Sequence, residues 1–134
     1  MQNDQYAALF PKEICNKLFP PEKTSDFFEA LLGDADDGSY DIELQYTGLS
    51  GRQIHFELLL HERPGHCLSC NLTLGLPQVF SRHPVINISG IVNEINRILG
   101  DKAMTGEWSL GYTQQRSSSI HSIPLTIEIQ ATGP

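Results

Sequence analysis

The sequence predicts an α+β fold, in which helices pack on one face of a five-stranded, mostly antiparallel sheet. The spacing of apolar residues supports this prediction, because it is helical in two parts of the 134-residue chain and alternates in the other segments. Alternation is typical of strands that bury one face only, as in antiparallel sheets. The expected order is α-α-β-β-β-α-β-β in a single domain, 1–134, with N-terminal helices in 1–33 and the sheet in 39–130.

The three predicted helices combine apolar stripes with recognisable start and stop residues. Pro11 precedes the short segment KEICNKLF and Pro21 precedes the longer EKTSDFFEALLG, and a first helical turn tolerates proline. Gly33 ends the second segment, where glycine readily adopts the left-handed conformation that terminates a helix. The third helix is predicted over 86–99, where the apolar residues of INISGIVNEINRILG form one stripe.

Five segments alternate apolar and polar residues and are predicted to be strands, namely YDIELQY, QIHFELLLH, LSCNLTL, GEWSLGY and IPLTIEIQ. We predict that the second and third form a hairpin around Arg63, Pro64 and Gly65, because this register places four apolar pairs on the core face. The pairs are Leu60 with Leu68, Leu58 with Cys70, Phe56 with Leu72, and Ile54 with Leu74. Pro124 has no N–H to donate and therefore predicts an edge position or a bulge in the last strand.

The segment HERPGHCLSC, residues 61–70, is the part of the sequence most suggestive of chemistry. In the predicted hairpin Cys67 lies opposite His61 on the outer face, which makes this pair a candidate activated thiol. Cys70 lies on the core face, so the two thiols of the C-x-x-C motif cannot both bind one tetrahedral zinc ion. No cofactor is therefore predicted. The alternative is a zinc site that draws on the histidines and cysteines of this region, His66, Cys67, Cys70 and His83.

Two other groups of residues are candidates for function. Asp41, Glu43, His55 and Glu57 are expected to share the outer sheet face, either as acid–base groups or as its solvated side. The segment GLPQVFSRHP is predicted to be an irregular connection that either contacts a partner or covers the end of the core. Leu59 is an apolar residue in the otherwise polar outer pattern of the second strand, and it is also a candidate for binding. The candidate binding residues are Leu59 and, from the segment GLPQVFSRHP, Leu76, Val79, Phe80, Arg82 and His83.

Charge and composition narrow the classes of partner. The chain has 16 acidic and 9 basic residues, a net charge of −7, and its arginines are scattered singly, so nucleic acid is not an expected partner. No apolar run approaches the ~20 residues of a membrane-spanning helix, and the N-terminus does not have the pattern of a secretory signal. Three cysteines do not make a disulfide framework. We therefore expect a cytoplasmic protein that does not interact with membranes.

The function that the sequence favours most is binding. A single layer of helices leaves the other sheet face open to a protein partner, a ligand or a second copy of the chain, so a homodimer is expected. The element order and acidity resemble those of small secretion-chaperone-like α+β domains, as a likeness of fold that no motif supports. The alternatives are a zinc-binding protein built on residues 66–83 and, less favoured, a small thiol-dependent enzyme using Cys67 and His61.

Overall fold

The computed structural model describes residues 6–34, 38, 40–66 and 75–131. It has the predicted α+β architecture, with a five-stranded antiparallel sheet. A short 3-10 turn at Ala7–Leu9 precedes the other elements, which are α1 (Lys12–Leu18), α2 (Pro21–Leu32), β1 (Tyr40–Ser50), β2 (Gln53–Glu62), α3 (Leu76–Arg82), α4 (Ile88–Leu99), β3 (Ala103–Leu110), β4 (Gln114–Gln115) and β5 (Ile120–Ala131). Of the described helices, none is long and apolar enough to cross a membrane.

The core lies between the helices and one face of the sheet. Strand order is β1-β2-β5-β3, and β4 also pairs with β5. The alternating apolar side chains of β1, β2 and β5 are buried on the same face, and the stripe of α4 joins them in one hydrophobic cluster. Fully buried members include Leu44, Phe56, Leu58, Leu125 and Ile127. The predicted fold class and the packing of helices on one face are thus confirmed.

The strand β2 has different neighbours from those predicted. It pairs with β1 along one edge and with β5 along the other. Its core residues Ile54, Phe56, Leu58 and Leu60 lie opposite Ile127, Leu125, Ile123 and His121 of β5. The predicted hairpin is therefore wrong in the partner it gives to β2. Apolar alternation specifies which face a strand buries, and β5 alternates in the same way as the segment 68–74, which lies outside the described residues.

The position of Pro124 is also different, because β5 lies inside the sheet, between β2 and β3. The carbonyl of Pro124 accepts a hydrogen bond from the Gly111 N–H at 2.8 Å. On this side of β5, β3 ends at Leu110 and β4 begins at Gln114. Pro124, which has no N–H to donate, therefore lies beside the gap between these two strands. A side chain at Gly111 would place its Cβ 2.6 Å from the proline ring, so this close approach requires glycine.

Candidate functional site

The structure places only part of the segment 61–70. His61 lies on the outer face of β2, opposite Asp41 and Ile120, and its Nε2 is 3.0 Å from Glu43 Oε1. His66 follows β2 in a turn that its N–H closes on the Arg63 carbonyl at 3.1 Å. The hairpin that placed Cys67 opposite His61 is not formed by β2, whose two edges pair with β1 and β5. Cys67 and Cys70 lie outside the described residues, so the thiol site and the zinc site stay predictions. Within the described ranges, no three His, Cys, Asp or Glu residues are grouped so that they could hold a metal ion.

Three acidic residues of the outer sheet face are each paired with a basic residue. The pairs are Asp41 with Arg63, Glu43 with His61, and Glu57 with Arg116. Arg63 reaches Asp41 Oδ1 through two nitrogens, at 3.0 and 3.2 Å, and Arg116 also donates to Ser122 Oγ at 3.1 Å. Ion pairs at a protein surface typically contribute about 0–1 kcal/mol. Because each of these carboxylates already has a partner, the arrangement favours a solvated face over acid–base chemistry.

The segment 75–84 forms a short helix, α3, instead of an irregular loop. Pro77 lies in its first turn, where proline is tolerated. Phe80 is fully buried and meets the Phe27 ring edge-on, with the ring centroids 5.5 Å apart. The His83 ring contacts Phe27 as well, at 4.8 Å, and its Nδ1 accepts a hydrogen bond from the Val85 N–H. Phe80 and His83 therefore anchor the segment to the core.

The remaining predicted binding residues are more accessible. Val79 is 37% exposed, and Arg82 is exposed beside it at the end of α3. Leu76 packs against the edge of the core. Leu59 is half-buried near the middle of the outer face, between Glu43 and Ser122 of the neighbouring strands. It thus lies between two polar groups that each already have a partner, Glu43 with His61 and Ser122 with Arg116.

The β1 edge of the sheet is covered by the N-terminal helices. The Ile42 N–H, which points away from β2, donates to Thr24 Oγ1 of α2 at 3.3 Å. The Cys15 thiol of α1 lies against the Tyr46 backbone N–H, and burial raises the pKa of this thiol more than that contact lowers it. Side chains from α1 and α2 thus occupy hydrogen-bonding positions along this edge. Cys15 is accordingly a packing residue with a protonated thiol.

The β3 edge is different, as the direction of its hydrogen bonds shows. Because Gly111 donates to Pro124 of β5, the alternation of an antiparallel pair directs the backbone groups of Trp108 and Leu110 away from β5. Nearer the start of β3, a bulge intervenes and Asn96 Oδ1 accepts the Thr105 N–H at 2.9 Å. In the part of the chain that the structure describes, no backbone hydrogen bond reaches the outward groups of Trp108 and Leu110.

Large apolar side chains are exposed along the same strand. Tyr112, two residues past the end of β3, is 90% exposed, and Met104 near its start is 57% exposed. Trp108 and Leu110 are half-buried against the core. Natural edge strands often carry lysine or proline that blocks pairing, but the segment GEWSLGY has Glu107 as its one charged residue. We call the outward groups of Trp108 and Leu110, together with Tyr112, the β3 edge site.

The alternating pattern did not single out this site. In the sequence pattern Trp108, Leu110 and Tyr112 share one face of a strand, whereas β3 ends at Leu110 and Tyr112 projects into solvent. Gly111, a residue type that often marks the end of a strand or a turn, was the available signal. Comparisons of the chain with protein-family models, with curated proteins and with solved structures find no match.

A cleft of about 610 Å³ adjoins the start of β3, between this strand and the β1–β2 turn. Its lining is mixed, with an exposed methionine, one basic and one acidic side chain, and several amide and hydroxyl groups. The lining residues are Ser50, Gly51, Arg52, Gln53, Met104, Thr105, Gly106, Glu128, Ile129 and Gln130. Ligand sites are usually lined mainly by apolar side chains around a few convergent polar groups. Because this cleft is open and its lining is of mixed polarity, it is a weaker candidate than the β3 edge site.

Proposed function

We propose that this protein is a protein-binding module that receives an extended segment of its partner at the β3 edge site. The observation that carries the proposal is the pair of outward-facing backbone units at Trp108 and Leu110 beside an exposed tyrosine. Addition of a strand to a sheet edge is a recurrent mode of recognition, in which main-chain hydrogen bonds supply affinity. Tyrosine and tryptophan are enriched at interfaces and frequently dominate their binding energy.

The other candidate surfaces have fewer groups available for contact with a partner. Asp41, Glu43 and Glu57 on the outer face each already contact a basic side chain. A binding partner there would have to displace Arg63, His61 or Arg116 from an existing contact. The β1 edge is occupied by side chains of α1 and α2. In the segment 75–84, Phe80 and His83 are committed to packing on Phe27. The β3 edge site combines outward backbone groups with exposed aromatic area.

The test is to remove one outward N–H without breaking the sheet. Leu110→Pro deletes a donor that points away from β5, whereas Leu110→Ala removes the same side chain and keeps the donor. A photo-reactive phenylalanine analogue at position 112, in cells that produce the protein, should cross-link to a partner identified by mass spectrometry. We expect Leu110→Pro to reduce binding of that purified partner about tenfold relative to Leu110→Ala, as one lost intermolecular hydrogen bond predicts.

The matched control carries the analogue at Gln78, which is exposed on α3. A protein adduct that forms at position 112 and does not form at position 78 supports the proposal. Equal adducts at both positions indicate non-specific capture and contradict it, as does the absence of any adduct at position 112. Circular dichroism of the two Leu110 variants establishes that they are folded.

A further inference from the structure

We infer that the segment received at the β3 edge site is β3 of a second copy of this chain, in an antiparallel dimer whose two-fold axis passes beside Ser109. The inference rests on the proposed function and names its partner. A two-fold interface requires that each residue contacts the residue that contacts it, so the surface must be complementary to itself. The β3 edge site meets this requirement in its backbone, in its side chains and in its charge.

The backbone is self-complementary in one register. With the axis beside Ser109, Trp108 faces Leu110 of the partner subunit, and Leu110 faces the partner's Trp108. Both residues direct their N–H and C=O groups outward. Each facing pair therefore exchanges two hydrogen bonds, which gives four for the dimer. Ser109, whose backbone groups point inward to β5, faces Ser109 of the partner subunit across the short spacing of a non-hydrogen-bonded pair.

The side chains agree with this register. Trp108 and Leu110 are both half-buried on the core face, so their pairing would bury two apolar contacts. Beyond the paired residues, Glu107 lies near the partner's Gly111, and the Tyr112 ring can extend toward the partner's Gly106, which has no side chain to obstruct it. Glu107 is the only charged residue of the segment, and this register does not place it opposite itself. No like charges oppose each other within the paired segment.

The length of the β3 edge that is unpaired within the described residues limits the strength of the dimer. The bulge between Thr105 and Trp108, together with the hydrogen bond that the Thr105 N–H donates to Asn96 Oδ1, ends the edge on one side, and β3 itself ends at Leu110 on the other. Stable interfaces usually bury more than about 1,000 Å² in total, which so short a pairing does not reach by itself. We therefore expect a dimer with a dissociation constant weaker than about 1 µM.

The decisive experiment exploits the self-facing position of Ser109, which is exposed on the outer face. Ser109→Glu and Ser109→Lys each place like charges opposite each other across the axis, so each variant alone should dimerise about fivefold more weakly than the natural chain. An equimolar mixture of the two places opposite charges there and should restore the dimer. Sedimentation equilibrium over a wide range of protein concentration measures all three cases.

Two control variants separate charge from other effects. Ser109→Gln changes the size of the side chain without charge, and Ser89→Glu adds an acid at an exposed position of α4, so both should dimerise as the natural chain does. Exchange of the Trp108 and Leu110 amide protons, measured by NMR, should slow as protein concentration rises. The fluorescence of Trp108, the one tryptophan of the chain, gives a second signal for the same event.

The outcomes distinguish this inference from the proposed function. A chain that stays monomeric, or a charge-swapped mixture that fails to restore the dimer, overturns the inference. If position 112 then cross-links to a different protein in a manner sensitive to Leu110→Pro, the proposed function stands and its partner is another chain. If no cross-link forms at position 112 and the protein is monomeric, both are overturned.

Discussion

His121 is the residue at which burial and charge oppose each other most directly. It lies on the core face of β5 with none of its surface exposed, opposite Leu60 on β2 and Gln115 on β4. Burial lowers its pKa from the ordinary value of about 6.5, because a charged imidazole loses its hydration in the core. The His121 side chain keeps its ordinary pKa in the unfolded chain. Below about pH 6.5 the unfolded chain therefore binds a proton at this residue more readily than the folded chain does.

The first prediction at this scale concerns stability against pH. The contribution of His121 is complete above about pH 6.5 and is lost progressively as the pH falls below that value, by at most about 1.4 kcal/mol per pH unit. Urea denaturation of the natural chain and of His121→Gln between pH 7.5 and 5.5 should show a shallower decline in the variant. Equal slopes would mean that His121 is not buried in its neutral form.

At the scale of elements, the sequence predicts what each strand buries better than which strand it joins. The alternation of β1, β2 and β5 and the stripe of α4 appear in the structure within a few residues of the predicted bounds. The neighbours of β2 did not follow from the pattern, because pairing depends on contacts between segments far apart in the chain. The β3 edge site is missed for the same reason, since an edge exists only once strand order is known.

The helix α3 shows a second limit of sequence patterns. Seven residues give two turns, too few for a helical period to be distinguished from an irregular apolar segment. Its apolar residues were therefore equally compatible with a contact surface and with a cover for the core. The structure assigns Phe80 to the core and leaves Val79 at the surface.

A pair of truncations in α3 tests this assignment. Phe80→Ala removes a fully buried ring that packs on Phe27, and such truncations typically cost about 3–5 kcal/mol. Val79→Ala, one position earlier in the same helix, removes a partly exposed side chain and should change the free energy of unfolding by less than about 1 kcal/mol. Chemical denaturation measures both. Similar small losses for the two variants would mean that Phe80 does not anchor α3.

At the scale of the whole molecule, net charge opposes self-association while the contacts proposed for the β3 edge site carry little charge. Each chain has a net charge of −7, so two chains repel each other at a distance. The main-chain hydrogen bonds and the pairing of Trp108 with the partner's Leu110 are not weakened by screening. Salt shortens the range of the repulsion, from a Debye length of about 30 Å at 0.01 M to about 8 Å at 0.15 M.

Association should therefore strengthen severalfold when the ionic strength is raised from about 0.01 to 0.15 M, opposite to the behaviour of an interface held by ion pairs. Glu107→Gln is the matched variant, because it removes one acid from each chain beside the axis. It should dimerise more tightly than the natural chain at low salt and show a weaker dependence on salt. Sedimentation equilibrium at the two ionic strengths measures both effects. A dimer that weakens with salt would place ion pairs at the interface, which the antiparallel pairing of β3 does not contain.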